Sequence, residues 1–483
     1  MANSRKSPPL SNSTLALDAV FQRALEDILA RVVVSDRIAS RTASPTASRA
    51  AFRIAVAFSG GLDSAVLLHL ATVACKQRGI QLFAFHVHHG LSPNADHWLA
   101  HCEAQAQQAN ATFVARQVQI NPHDKLGIEQ AARLARYDAL ADMCTSNDVT
   151  LLLTAHHQDD QAETVVLQLL RGAGLPGLSA MAMLQSEHAL LGAGIALGRP
   201  LLEMTRADLE LWADTNAIKH IVDESNDDLR FRRNEIRHQL MPLLEQQLPG
   251  VQKSIARSAR HLQTAQRLLD ELAAIDLQSC GDADSLVIDR LRQLSDDRLD
   301  NLLRYWLKQC GADHYPSDAQ LYQLREQMLH ARDDAHPLLA LCGLTLERHS
   351  GHLVARHAEL LAINLPSEML LHWQGESEIA IPAWQGSLVF DSAPGPGLDR
   401  AQLLQGPLRL RPRGGGERLK LDSNRPSRTL KNLFQESDVP VRDRLWLPLL
   451  YLGDELIFAA GLGMDVRVGR TSEGVRLRWQ RQD

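Results

Sequence analysis

Six residues in the first fifth of the chain, Ser59-Gly60-Gly61-Leu62-Asp63-Ser64, have the types and order that bind a phosphate. The glycines permit a tight turn and let backbone N–H groups come close to an anion. Ser59 and Ser64 can donate hydroxyl hydrogen bonds, whereas Asp63 is out of place beside a phosphate unless a magnesium ion stands between them. Ile54–Phe58 reads as a buried strand before the turn and Ala65–Ala74 as an apolar helix after it, so a helix dipole adds to anion binding. The chain has no Gly-x-x-x-x-Gly-Lys-Ser/Thr, which excludes a Walker loop that passes on a γ-phosphate. The chemistry expected is ATP split between its α and β phosphates, adenylating a substrate. The bland alternative is a Ser/Gly turn that only caps a helix.

A second group follows the fourth expected strand, Thr150–Thr154. His156, Asp160 and Glu163 are spaced by four and three, so on a helix they form one stripe. At the carboxyl end of a parallel sheet such a stripe faces the ligand crevice. Its carboxylates can hold magnesium, or bind and deprotonate an amine. A solvated helix start favoured by the dipole would use the same residues. Arg133 and Arg136 lie about a turn apart and suit phosphate, although a Glu129–Arg133 helix pair explains the spacing as well. His86, His88 and His89 end the second strand and lack a nearby Cys or carboxylate, which points to the wall of a nucleotide pocket before a metal site. Two segments are basic. Asp223–Arg237 changes sign along its length and contains Arg233. Arg409–Lys431 holds eight Lys and Arg against Glu417 and Asp422. Clustered cations with glycines suit a sugar–phosphate backbone, with a plain charged surface as the alternative.

These groups need elements to position them. Strands expected at Ile54–Phe58, Leu82–Val87, Thr112–Val118 and Thr150–Thr154 alternate with helical patterns, including Leu126–Thr145. That alternation implies an α/β fold with a doubly wound parallel sheet. With 483 residues the chain should divide into several domains. The expected division is a flexible extension over 1–50 that includes a helical stretch at Leu15–Val33, then a catalytic domain over 51–248. A mainly helical domain over 249–395 and a small α/β domain over 396–483 complete it. The net charge of −6 hides any local basic region. Six scattered cysteines without a Cys-x-x-Cys pair argue against zinc, an iron–sulfur cluster or a redox dithiol. They fit a reducing compartment; with no bilayer-length apolar run and no apolar signal core, the expectation is cytoplasm and no membrane.

Taken in order, these motifs resemble those of the tRNA(Ile)-lysidine synthases, a family of N-type ATP pyrophosphatases. The resemblance spans about residues 50–465. It rests on Ser59–Ser64, His86–Leu91, Glu129–Tyr137, Thr154–Thr164, Leu170–Gly174, Arg199–Leu202, Asp223–Arg237, Thr429–Phe434 and Asp443–Leu450. It implies that ATP adenylates the 2-carbonyl oxygen of the wobble cytidine in tRNA(Ile) with a CAU anticodon. The ε-amine of free L-lysine then displaces AMP to give lysidine. By matching positions, the loop holds the ATP phosphates and Asp63 places Mg2+. His156, Asp160 and Glu163 serve adenylation and lysine binding, and Arg133 and Arg136 contact ATP or the intermediate. Arg233 sits near the lysine or the base. The C-terminal domain, with Arg413, Arg418 and Lys431, grips the tRNA, and a homodimer is left open. His88 stands where some similar chains carry an acid.

Two other readings compete. A tRNA 2-thiolating enzyme of the same superfamily would rely on partnered cysteines, and Cys75, the nearest to the loop, has no partner in sequence. A non-catalytic ATP-sensing module would explain the loop but neither the Asp160/Glu163 stripe nor the basic C-terminal region.

Overall fold

The computed structural model describes residues 12–39, 52–90, 94–119, 128–186, 188, 190–222, 230, 232–332, 337–357, 366–437, 439, 443–468 and 471–481. The chain forms two compact units, Met1–Leu268 and Leu269–Asp483.

In the first unit a helix, α1 (Asn12–Ala39), precedes an alternation of strands and helices. These are β1 (Arg53–Ala57), α2 (Leu62–Arg78), β2 (Gln81–His88), α3 (Ala95–Gln108), β3 (Thr112–Gln117) and α4 (Ile128–Ser146). Next come β4 (Leu151–Leu153), α5 (Gln158–Leu170), α6 (Leu175–Leu178), β5 (Leu184–Gln185), β6 (Ala196–Gly198) and α7 (Arg206–Thr215). The sheet order is β3-β2-β1-β4-β6-β5, with only edge strand β5 antiparallel to its neighbour. Side chains alternate across it, so Ile54, Val56, Leu151 and Leu153 enter one core while Ala55, Phe83, Phe85 and Leu152 enter another. Helices α1, α2, α3 and α7 cover the first face and α4 the second. The sheet is doubly wound, as its alternation of elements requires.

The helical stretch that reads in sequence as part of an extension is docked in this unit. Leu17, Phe21, Leu25, Ile28 and Val32 recur every three or four residues and are buried in the first core. Gly198 makes room for it, since a Cβ there would lie 3.4 Å from Ile28 Cδ1 and 2.7 Å from Leu153 Cδ2. The Ser-rich remainder of the extension, 40–50, lies outside the described residues. Phe21→Ala is expected to lower stability by about 3–4 kcal/mol, because it empties a fully buried aromatic site. Urea unfolding at equilibrium checks this, and an unchanged midpoint would contradict the docking of α1.

Helix α8 (Arg232–Glu235) leads into a π-helical turn at Ile236–Leu240, then α9 (Met241–Gln247) and the long α10 (Val251–Cys280). The second unit combines helices with short antiparallel strands. Alongside helices Asp296–Gln309 and Asp318–Leu324 it contains a four-stranded antiparallel sheet of Ser285–Val287, Leu338–Leu341, Leu344–His349 and His352–His357. The expectation of a mainly helical domain over 249–395 does not resolve Ser285–Val287, Leu338–Leu341 and Leu344–His349, because each is only three to six residues long, too short for a period of two to stand out. Farther along are a five-stranded antiparallel sheet, Met369–Leu371 to Gly463–Met464, and a three-stranded one built on Gly386–Gly397 and Thr471–Arg481. Short helices accompany them, which makes the end of the chain a small α/β region.

Candidate active site

The carboxyl ends of β1, β4 and β6 lie side by side, and each delivers polar residues to the same edge of the sheet. After β1 the chain turns at Gly60, whose φ of +85° is left-handed, and Gly61 is the N-cap of α2. Ser64 Oγ donates to Gly61 O at 2.9 Å and lies 3.1 Å from Ser59 Oγ, so the two hydroxyls brace the loop. Ile221 N donates to Gly60 O at 2.9 Å from the other side. Gly60 is required twice over, by its φ and because a Cβ would stand 2.6 Å from Ile221 Cδ1 and 2.7 Å from Cys102 Sγ. Gly60→Ala is expected to cost about 2–4 kcal/mol of stability and to weaken ATP binding. Thermal unfolding with and without ATP measures both, and a variant with wild-type values would remove the steric argument.

After β4 comes α5, capped by His157. Its Nδ1 accepts from Asp159 N at 3.3 Å, while its own backbone N donates to Asp160 Oδ2 at 3.1 Å. With Nδ1 accepting, Nε2 carries the proton and points to Asp160 Oδ2 at 3.4 Å, with Asp63 Oδ1 at 3.9 Å. The buried imidazole therefore joins the phosphate loop to the α5 carboxylates. Arg206 makes a second link, its Nη1 to Asp63 Oδ2 at 2.5 Å and its backbone N to Asp159 Oδ2 at 3.0 Å. The other carboxylate oxygens, Asp63 Oδ1 and Asp159 Oδ1, are buried with no hydrogen-bond partner among the described residues. Burial pushes both carboxyls above their usual range, although His157 and Arg206 oppose this at both. Buried anionic oxygens without donors fit a hard cation.

The stripe expected on α5 is present, and Asp160 and Glu163 are both buried on it. Neither carboxylate is vacant. Arg237 grips Glu163 with Nε at 2.6 Å and Nη2 at 2.9 Å and reaches Asp160 Oδ1 at 2.8 Å. Arg233 contacts the same pair at 3.2 Å and 2.8 Å. Burial works against the charge of Asp160, but His157, Arg233, His156 and Arg237 overrule it and hold the carboxyl well below the usual range. Arg237 sits in the π-helical turn, a feature that recurs at functional sites. His156 bonds Thr154 Oγ1 through Nδ1 at 3.0 Å. Burial, aided by Arg199, Arg233 and Arg136 and opposed by Asp160, pushes it down to about 3, so it meets the crevice as a neutral imidazole.

Arg133 and Arg136 lie over the ring of Tyr137, with guanidinium carbons 5.1 and 5.6 Å from its centroid. Burial lowers the Arg136 guanidinium, with Arg133 and Arg233 adding to the effect. The side chain of Glu129, the alternative partner of Arg133, lies outside the described residues, as do Leu91 and the acidic stretch 223–229. His86 bonds Phe58 O at 2.9 Å and His88 meets Asp96 at 3.2 Å, so both are engaged in packing at the end of β2. In the second unit Arg413 lies 4.0 Å from Glu417, Arg418 bonds Ser427 and Lys431 is exposed on Leu430–Glu436. Sequence reasoning gave no role to His157, Arg206 or Arg237. Only the capping pattern Thr205-Arg-Ala-Asp208, which starts α7, hints that Arg206 is held in place.

Residues 34–244 match the PP-loop domain family, 286–354 the TilS substrate binding domain and 408–479 the TilS substrate C-terminal domain. The tRNA(Ile)-lysidine synthase of Ralstonia nicotianae is 41% identical over 434 residues, covering 88% of this chain and 92% of its own. That of Burkholderia pseudomallei is 43% identical over 85% of this chain and 89% of its own. For Coxiella burnetii the figures are 38%, 84% and 88%. Similarity at this level, over nearly the full length of the relatives and through all three matched regions, means that the chain belongs to the tRNA(Ile)-lysidine synthase family.

Proposed function

We propose that the crevice at β1, β4 and β6 adenylates the wobble cytidine of CAU-anticodon tRNA(Ile) and then joins L-lysine to it. As a member of its family the chain is an ATP-dependent ligase that forms lysidine on tRNA(Ile). The observation that carries the division of roles is the link through His157, which ties the loop carboxylate Asp63 to Asp160 of the α5 pair.

The loop from Ser59 to Ser64 holds the ATP phosphates on its backbone N–H groups, and Arg133 and Arg136 contact the nucleotide or the adenylated base. Asp63, whose buried Oδ1 has no hydrogen-bond partner among the described residues, would hold the magnesium ion. Bound there, the ion would offset charge on the departing pyrophosphate. The cytidine 2-oxygen attacks the α-phosphorus and pyrophosphate leaves. The ε-amine of lysine then attacks C2 and AMP departs. Asp160, held strongly ionised, suits the lysine ammonium better than it suits a proton-accepting role, which falls to Glu163. Lysine can reach this pair only if a guanidinium, from Arg233 or Arg237, draws back. His156, being neutral, contributes a hydrogen bond rather than a charge. Arg413, Arg418 and Lys431 contact the tRNA backbone.

Thiolation has less support. Cys75, Cys102 and Cys144 are buried and unpaired, and burial pushes their thiols up to about 11, 12 and 12, far from a reactive thiolate. No helix among the described residues is long and apolar enough to cross a membrane, and a cytoplasmic site is proposed. Domain borders are proposed at about 249 and 396, with α1 part of the catalytic domain. Labelled lysine should enter CAU-anticodon tRNA(Ile) in the presence of ATP and not methionine tRNA. Turnover that does not depend on lysine would sink this reading.

A further inference from the structure

Arg199 has no part in the steps above. It directly follows β6, at the same sheet edge as the loop after β1 and the stripe after β4. Only 5% of it is exposed, yet no Asp or Glu among the described residues forms an ion pair with it. Nη1 donates to Ala182 O at 2.8 Å, and the side chain lies beside Tyr137. Nε is buried with no hydrogen-bond partner among the described residues. Around the same Tyr137 ring lie the guanidiniums of Arg133 and Arg136, and His188 stacks on it at 4.7 Å between centroids. Burial, with Arg199 and Arg133 close by, pushes His188 down to about 4, so neither this imidazole nor His156 adds a balancing charge of either sign.

A buried guanidinium with a vacant N–H and two further cations beside it is costly unless an anion arrives. The planar fork of Arg matches two oxygens of a phosphate. ATP already has its own donors at the loop after β1, which is two strand spacings, roughly 10 Å, from β6. The second anionic reactant is the RNA. We propose that Arg199, beside Tyr137, binds a backbone phosphodiester of the RNA next to the nucleotide being adenylated, while Arg133 and Arg136 stay with that nucleotide. This rests on the reading of the crevice as the site of base adenylation, and it makes Arg199 a substrate-binding residue of that reaction.

The test uses the full-length protein. Binding of tRNA(Ile) is titrated over a salt series for wild type, Arg199→Gln and Arg199→Lys, and ATP affinity is measured calorimetrically without RNA. Arg199→Gln should weaken RNA binding about tenfold and reduce the slope of log Kd against log salt by just under one. Arg199→Lys should keep the slope and recover part of the affinity, and ATP affinity should not change in either. A lower melting temperature with an unchanged salt slope would overturn the proposal and leave Arg199 as a brace for Tyr137 and the Ala182 segment. Loss of ATP affinity with RNA binding intact would overturn it in favour of a nucleotide contact. If Arg199→Gln does not fold, Arg199→Lys carries the test, and wild-type RNA affinity there rejects the phosphate contact. Failure of wild type to incorporate lysine would instead overturn the functional reading, so the two failures are distinct.

Discussion

Asp63→Asn is expected to lower the rate of lysidine formation by about a thousandfold, a size typical of removing charge stabilisation at a reacting phosphate. The substitution keeps the shape of the side chain and one oxygen, so the turn held by Ser59, Ser64 and Ile221 should survive. What it removes is the negative charge that Arg206 and His157 surround and that leaves Oδ1 available to a cation. The magnesium dependence of pyrophosphate release, measured with ATP, lysine and tRNA(Ile), should move to much higher concentration. If activity and magnesium dependence both stayed at wild-type values, the loop would not be the site of phosphate chemistry. Arg206 complicates the ground state, because its guanidinium already neutralises one Asp63 oxygen. Arg206→Ala should for that reason leave the magnesium requirement in place, whereas Asp63→Asn removes its basis.

Glu163→Gln should separate the two half-reactions. The carboxylate is almost fully buried and takes three hydrogen bonds from Arg233 and Arg237. Removing its charge leaves those guanidiniums undercompensated, so stability should fall by about 3 kcal/mol. If the pair also receives the lysine ammonium, the KM for lysine should rise about 100-fold, the usual scale for truncating a buried charge pair. A first-turnover burst of pyrophosphate in the presence of tRNA should remain, because adenylation precedes lysine. Combining Glu163→Gln with Arg237→Met should restore part of the stability without restoring lysine affinity, which tells the structural share from the functional one. A lost burst with an unchanged KM for lysine would move Glu163 to the adenylation step.

Much of this site was legible in the chain because its parts are local. A glycine turn between strand and helix reads directly, and so does a stripe of carboxylates at helical spacing. Strand β1 was placed to within a residue at either end, since a central parallel strand buried on both faces appears as an apolar run. Helix α1 was seen as a helix, but its docking was not. An amphipathic face shows that something must cover it and does not say what. The short strands at Leu338–Leu341 and Ser285–Val287 carried too few residues for a period to register.

The phosphate loop, the ordered motifs and the family they mark were determined by the sequence by itself, because each motif is a short contiguous run and their order is read directly along the chain. The tertiary structure alone decided which charges meet. Arg206 lies 143 residues from Asp63, and Arg237 lies 74 from Glu163, yet they form the shortest ion pairs of the site. It also set Arg199 beside Tyr137 with one N–H vacant. Local sequence cannot encode such pairings, since they arise from the order in which parallel strands assemble and from which loop ends that order brings to one edge.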